Sequence, residues 1–192
     1  MYTIKEWRVS NTTTKTTGLP GLRGAEHIGF TVPDLEQATH FFVDIIGCEQ
    51  FYDIGPISDP NGDWMQQQLN VPNSTVIKKL RFFRCKNGSN FEVFEYQADD
   101  QNVQVPRNCD VGGHHIAFYV DDFDKALAHL QQHDITILGS PVIRDSGPSA
   151  GQTWVYFLSP WGMQFELVSY PDGKGYETTC TDRLWHPRFP EK

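Results

Sequence analysis

The chain has 192 residues, 39% of them hydrophobic and 21% charged, enough for one sizeable domain or two small modules sharing a core. Its 24 acidic and 16 basic residues leave a formal charge of −8, which repels phosphate backbones and argues against a nucleic-acid partner. No apolar run approaches the roughly 20 residues needed to cross a bilayer. The N-terminal MYTIKEWRVSNTTTK has no apolar signal-peptide core, so a cytoplasmic protein with no membrane partner is expected.

Residues 1–23 end in SNTTTKTTGLPGLR and read as an arm rich in Thr, Gly and Pro. A first module is expected over 24–100, a linker over 101–111, a second module over 112–171 and a turn-rich tail over 172–192. The tail carries Trp185 and Phe189, which leaves open whether it wraps onto the body. The two modules repeat one another. EHIGFTVPDLEQATHFF, from Glu26, matches HHIAFYVDDFDKALAHL, from His114. Each opens on a strand with alternating faces. His27, Gly29 and Thr31 oppose Ile28, Phe30 and Val32; His115, Ala117 and Tyr119 oppose Ile116, Phe118 and Val120. The apolar face should pack on a helix and leave the histidine face free.

A helix follows each strand. Asp34 is the expected N-cap, with Gln37 as its capping-box partner and Gly47 as the stop. In the second module Asp121 or Asp122 caps a stripe of Phe123, Ala126, Leu127 and Leu130. Three more strands should complete each module. FFRCKNGSNFEVFEY, from Phe82, matches YFLSPWGMQFELVSY, from Tyr156, with Gly88 and Gly162 at the hairpin turns. The first module is longer by an insertion placed in the polar stretch from Gly55 to Ser74, which reads as a loop.

Each module thus offers one histidine on its first strand and one glutamate on its last: His27 with Glu92, and His115 with Glu166. Two imidazoles and two carboxylates suit a six-coordinate divalent ion such as Ni, Co, Mn, Fe or Zn, with water or substrate completing the shell. A lone strand histidine is weak evidence, and a lone glutamate between apolar neighbours is more suggestive, since an unpaired buried carboxylate is costly. Four such residues at matching places in two repeats are the signal. Alignment selects His115 over His114, and Glu92 over Glu95, which falls on the opposite face and reads as exposed or helix-facing. His40, His129 and His133 read as solvent-facing helix residues, and His186 as a tail residue without a partner. Arg81, Arg84, Arg107 and Arg144 read as solvated surface charges. Cysteines 48, 85, 109 and 180 contain no CxxC pair and read as free thiols of a reducing compartment.

EHIGFTV with PDLEQATHFF, NFEVFEY, GGHHIAFYV with DDFDKAL, and WVYFLSPWGMQFELVSYP together resemble the vicinal-oxygen-chelate superfamily over residues 24–171. That superfamily includes glyoxalase I, methylmalonyl-CoA epimerase, extradiol dioxygenases and the bleomycin- and fosfomycin-resistance proteins. The resemblance implies an α+β fold in which two βαβββ modules form an open, cup-shaped mixed sheet around the metal, and a homodimer. The set of His27, Glu92, His115 and Glu166 looks like that of glyoxalase I, with the family's epimerases close behind. The expected function is therefore that of a metal-dependent, glyoxalase I-like lyase or isomerase of a small-molecule substrate. It would move a proton through a metal-stabilised enediolate, with Glu166 or Glu92 as base. The alternatives are an epimerase of an acyl-CoA or a valiolone-like cyclic ketose, an extradiol-type dioxygenase, and a non-catalytic binding or resistance protein.

Overall fold

The computed structural model describes residues 18–191. The expected N-terminal arm therefore lies mostly outside the described residues. The order of elements is β1 (His27–Thr31), α1 (Leu35–His40) running into a π-helical stretch (Phe41–Ile46), β2 (Glu49–Ile54), α2 (Trp64–Leu69), β3 (Val76–Arg84) and β4 (Asn90–Gln97). The second half follows with β5 (Ile116–Tyr119), α3 (Phe123–Gln132), β6 (Thr136–Ile143), β7 (Thr153–Leu158) and β8 (Gln164–Ser169). A 3-10 turn, Gly175–Thr178, lies in the tail.

The elements form two four-stranded mixed sheets of identical topology, β1-β4-β3-β2 and β5-β8-β7-β6. In each, the first strand runs parallel to the last, and the remaining pairs are antiparallel. The α+β class and the paired strand–helix–strand–strand–strand units expected from the repeat are thus present. The repeat extends to register. Gly29 lies opposite Glu92 as Ala117 lies opposite Glu166, and Phe82 opposite Glu92 as Tyr156 opposite Glu166.

Local chemistry sets the helix ends. The Asp34 carboxylate accepts from the backbone N–H groups of Glu36 and Gln37, each at 2.9 Å, and Asp122 accepts from Lys125 at 3.1 Å. The cap is therefore made by Asp34 itself; no hydrogen bond from the Gln37 side chain back to it is recorded among the described residues. The first helix ends at Gly47, whose φ of 85° is a conformation that side chains resist.

Both sheets turn the same face to one core. Phe30, Phe83, Phe91 and Val93 of the first half join Phe118, Val155, Phe157, Phe165 and Leu167 of the second in a single apolar cluster. The first helix is the filling between them. Phe41 and Phe42 are both fully buried, although successive helix residues point about 100° apart. Phe42 meets Phe83 and Phe91 on one side and Phe165 on the other, with ring centroids 5.4, 5.5 and 6.0 Å apart. Each buried phenyl contributes about 2 kcal/mol from area alone.

The insertion is not a bare loop. Its residues 64–69 fold into α2, because Met65 finds a fully buried seat against Ile77 and Leu80, with Phe82 and Phe94 beside it. Nor is the tail loose: Gly175 and Tyr176 donate backbone hydrogen bonds to Ala150 and Pro148. Among the described residues no helix is long and apolar enough to cross a membrane.

Candidate metal centre

The alternation that sends Ile28, Phe30 and Phe91 into the core sends His27, Gly29 and Glu92 to the outer face of the first sheet. There His27 Nε2 lies 3.2 Å from Glu92 Oε2. In the second half His115 Nε2 lies 3.1 Å from Glu166 Oε2. The small residues beside the histidines leave the space open; a Cβ on Gly29 would sit 3.7 Å from Glu92 Oε2. All four sequence-predicted residues are thus placed in two equivalent pairs.

The four do not meet within one chain. Among the described residues no group of three or more His, Cys, Asp or Glu side chains is close enough to hold a metal ion. The reason lies in the packing. Both sheets give their apolar faces to one common core, so the two histidine faces turn away from it.

Each pair could supply half of a metal site. Two ligands at right angles on one ion, each about 2.1 Å from it, stand about 3 Å apart, which matches both N···O separations. His27 is also held from behind. Its Nδ1 lies 2.5 Å from Glu26 Oε2, and Asn90 Nδ2 donates to Glu26 Oε1 at 3.1 Å. The hydrogen bond to Glu26 is the main cause that raises the His27 pKa, and it leaves Nε2 aimed at Glu92. Glu26 was not marked by sequence reasoning, although it adjoins the metal-ligand candidate.

The surroundings differ between the halves. The first is aromatic: Phe82 meets the His27 ring edge-on at 5.7 Å and stacks on Tyr52 at 4.8 Å. Since Leu80, Phe82 and Phe94 share the face of Glu92, α2 forms a wall at the far end of this half-site. In the second half His115 packs edge-on against Tyr156 at 5.0 Å. The alternation continues from Glu166 through Val168 to Tyr170, whose ring carries Lys174 Nζ at 4.1 Å. Burial pushes Glu166 above the usual carboxylate range, opposed by His115 and Lys174. Burial likewise pulls Lys174 below the usual lysine range, opposed by Glu166 and Glu177.

Several sequence-based expectations change. His186 docks on Tyr119 and Tyr170 at 4.4 and 4.8 Å, so the tail covers the outer face of the second sheet. His129 is exposed, as expected, but it also has a partner: its Nε2 is 2.9 Å from the Ile45 carbonyl, tying α3 to the end of the first helix. Arg81 is not a surface charge. It is 5% exposed and binds Asp53 through two hydrogen bonds of 2.7 and 2.8 Å, with Glu36 and Thr39 also in contact. Glu95 is helix-facing, as expected, and accepts from the Leu35 N–H at 3.0 Å.

A family model described as the glyoxalase/bleomycin resistance protein/dioxygenase superfamily matches residues 26–157. The chain belongs to this superfamily. Among its curated relatives is a 2-epi-5-epi-valiolone epimerase from an Actinomyces species, 43% identical over 171 residues, which are 88% of this chain and 92% of that protein. Solved structures of the superfamily share the fold. A glyoxalase family protein from Bacillus cereus has a TM-score of 0.61 at 17% identity, covering 77% of this chain and 94% of that one. The fosfomycin resistance protein FosX from Listeria monocytogenes has a TM-score of 0.54 at 20% identity, covering 81% and 98%.

Proposed function

We propose that this protein is a divalent-metal-dependent epimerase of a valiolone-like cyclic ketose, with His27, Glu92, His115 and Glu166 as the metal ligands. The observation that carries the reading is the 43% identity to an epimerase across nearly the whole of both chains. The two equivalent histidine–glutamate pairs support it. Glyoxalase-type isomerisation, the first expectation from the ligand set, has the weaker support, because solved structures with glyoxalase names share only the fold.

When bound, a Ni, Co, Mn, Fe or Zn ion supplies Lewis-acid stabilisation of negative charge on neighbouring substrate oxygens. The chain's own residues do the rest. Epimerisation beside a carbonyl removes a proton from one face of a carbon and returns one to the other, so it needs two proton-carrying groups. Glu166 and Glu92 are those groups. Burial raises Glu166 and so favours it as the proton acceptor. The stacked rings of Phe82 and Tyr52 present a flat apolar wall to a ring beside His27.

Because the two pairs face away from the shared core, a complete centre forms between two chains. The His27–Glu92 pair of one meets the His115–Glu166 pair of the other, in a homodimer with two equivalent sites.

The test is turnover in deuterated water. With added Ni, Co, Mn, Fe or Zn, 2-epi-5-epi-valiolone should yield its epimer carrying one solvent deuterium at the inverted carbon. Glu166→Gln should abolish both while the fold persists. Turnover of the methylglyoxal–glutathione hemithioacetal or of an acyl-CoA, with no exchange or inversion of the cyclic ketose, would overturn the reading.

A further inference from the structure

The four cysteines play no part in the proposed chemistry, yet two of them are neighbours in space. β2 and β3 are antiparallel with Glu49 opposite Arg84 and Gln50 opposite Phe83, so the next pair outward is Cys48 and Cys85. Their backbone groups bond elsewhere. Cys48 N–H donates to the Phe42 carbonyl at 2.7 Å and Cys85 N–H to that of Ser89 at 3.4 Å. This makes the pair a non-hydrogen-bonded one, the kind whose opposed α-carbons stand about 4.5 Å apart. That spacing lies inside the disulfide range of about 4.4–6.8 Å. Both thiols are free.

The sulfurs differ in access. Cys48 is 4% exposed and part of the common core. Cys85 lines a groove of about 630 Å3 between the β3–β4 hairpin and β5, together with Lys86, Asn87 and Trp185. One sulfur is therefore open to a small reagent and the other waits behind it.

We propose that Cys85 and Cys48 form a redox-active dithiol, in which hydrogen peroxide oxidises Cys85 and Cys48 resolves it to a disulfide. The Cys85 thiolate attacks one peroxide oxygen; an S–O bond forms, the O–O bond breaks, and water leaves after protonation, giving a sulfenic acid. The Cys48 sulfur then attacks the Cys85 sulfur. An S–S bond forms, the S–O bond breaks, and hydroxide leaves as water with the Cys48 proton. Two thiols lose two electrons and two protons, and one peroxide becomes two waters. The neighbouring Cys48 thiol, together with the Lys86 ammonium, holds the Cys85 thiol below its usual range, which favours the attacking thiolate. The disulfide would staple the end of the first helix to the β3–β4 hairpin, within the core that both halves share.

Hydrogen peroxide treatment of the full chain, followed by alkylation in denaturant and intact-mass analysis, tests this. The expected result is the loss of two hydrogens, loss of two of the four alkylatable thiols, and a peptide linking positions 48 and 85. Cys48→Ser should instead stop at a Cys85 sulfenic acid captured by dimedone, and Cys109→Ser and Cys180→Ser should leave the linked peptide intact. Retention of four alkylatable thiols in the wild-type chain would overturn the proposal. So would a disulfide through Cys109 or Cys180. The readout on the unmutated protein stands even if a core variant fails to fold.

Discussion

Glu26 holds His27 by the ring nitrogen that faces away from Glu92, and Asn90 holds Glu26 in turn. A carboxylate behind a ligating imidazole fixes its orientation and strengthens its basicity, an effect commonly worth ten- to a hundred-fold in metal affinity. Glu26→Ala is therefore expected to weaken Ni or Zn binding about ten-fold, measured by calorimetric titration, without lowering the thermal midpoint of the metal-free protein. Unchanged affinity would mean that His27 needs no support. The four ligand candidates were legible in the sequence because each sits at a fixed place in a period-two repeat. F-E-V-F and F-E-L-V mark the glutamates, and H-I-G-F and H-I-A-F mark the histidines. Glu26 was not legible because its counterpart in the second repeat is His114, so the repeat carries no matching acid. The bonds of Arg81 and His129 were missed for another reason. Their partners Asp53 and Ile45 are brought near only by tertiary packing, and no local pattern announces them.

At the scale of elements, Arg81 knots three of them together: its own strand β3, Asp53 on β2 and Glu36 on α1. Asp53→Ala leaves a 5%-exposed guanidinium without its two-pronged partner, and should cost about 2 kcal/mol. A lower urea midpoint at unchanged slope would show it. The knot also sets a pH response. Hydrogen bonds from Arg81 are the largest cause holding both the Asp53 and Glu36 carboxyls below their usual range. A depressed folded-state pKa contributes stability that is complete above the unfolded values, about 3.9 and 4.3, and is lost as pH falls through the folded ones. Wild-type stability should therefore decline below about pH 4, and Asp53→Ala should flatten that decline. The insertion is the element the sequence described least well. Its polar residues read as loop, yet Met65, with Leu69 and Val71 packed beside it, seats a short helix on the outer face of the first sheet.

For the whole molecule, the two histidine–glutamate pairs stand on opposite sides of a shared interior, and the proposed centre needs two chains. This arrangement makes a sharp prediction. Glu92→Gln and Glu166→Gln homodimers should both be inactive. A mixed dimer has one doubly damaged centre and one intact centre, so random pairing should restore about a quarter of wild-type activity. Mixed dimers that form and stay silent would place the centre within one chain. Fold class was legible from the repeat, but the direction of the two faces was not, because alternation tells which residues share a side and never which way that side points in space. The common interior has one more effect. Phe42 touches Phe83 and Phe91 of the first repeat and Phe165 of the second, so neither repeat owns a complete interior. The doubling has become irreversible: a descendant that lost either half would expose a wall of phenylalanine, and any drift at position 42 is felt by both histidine–glutamate faces at once.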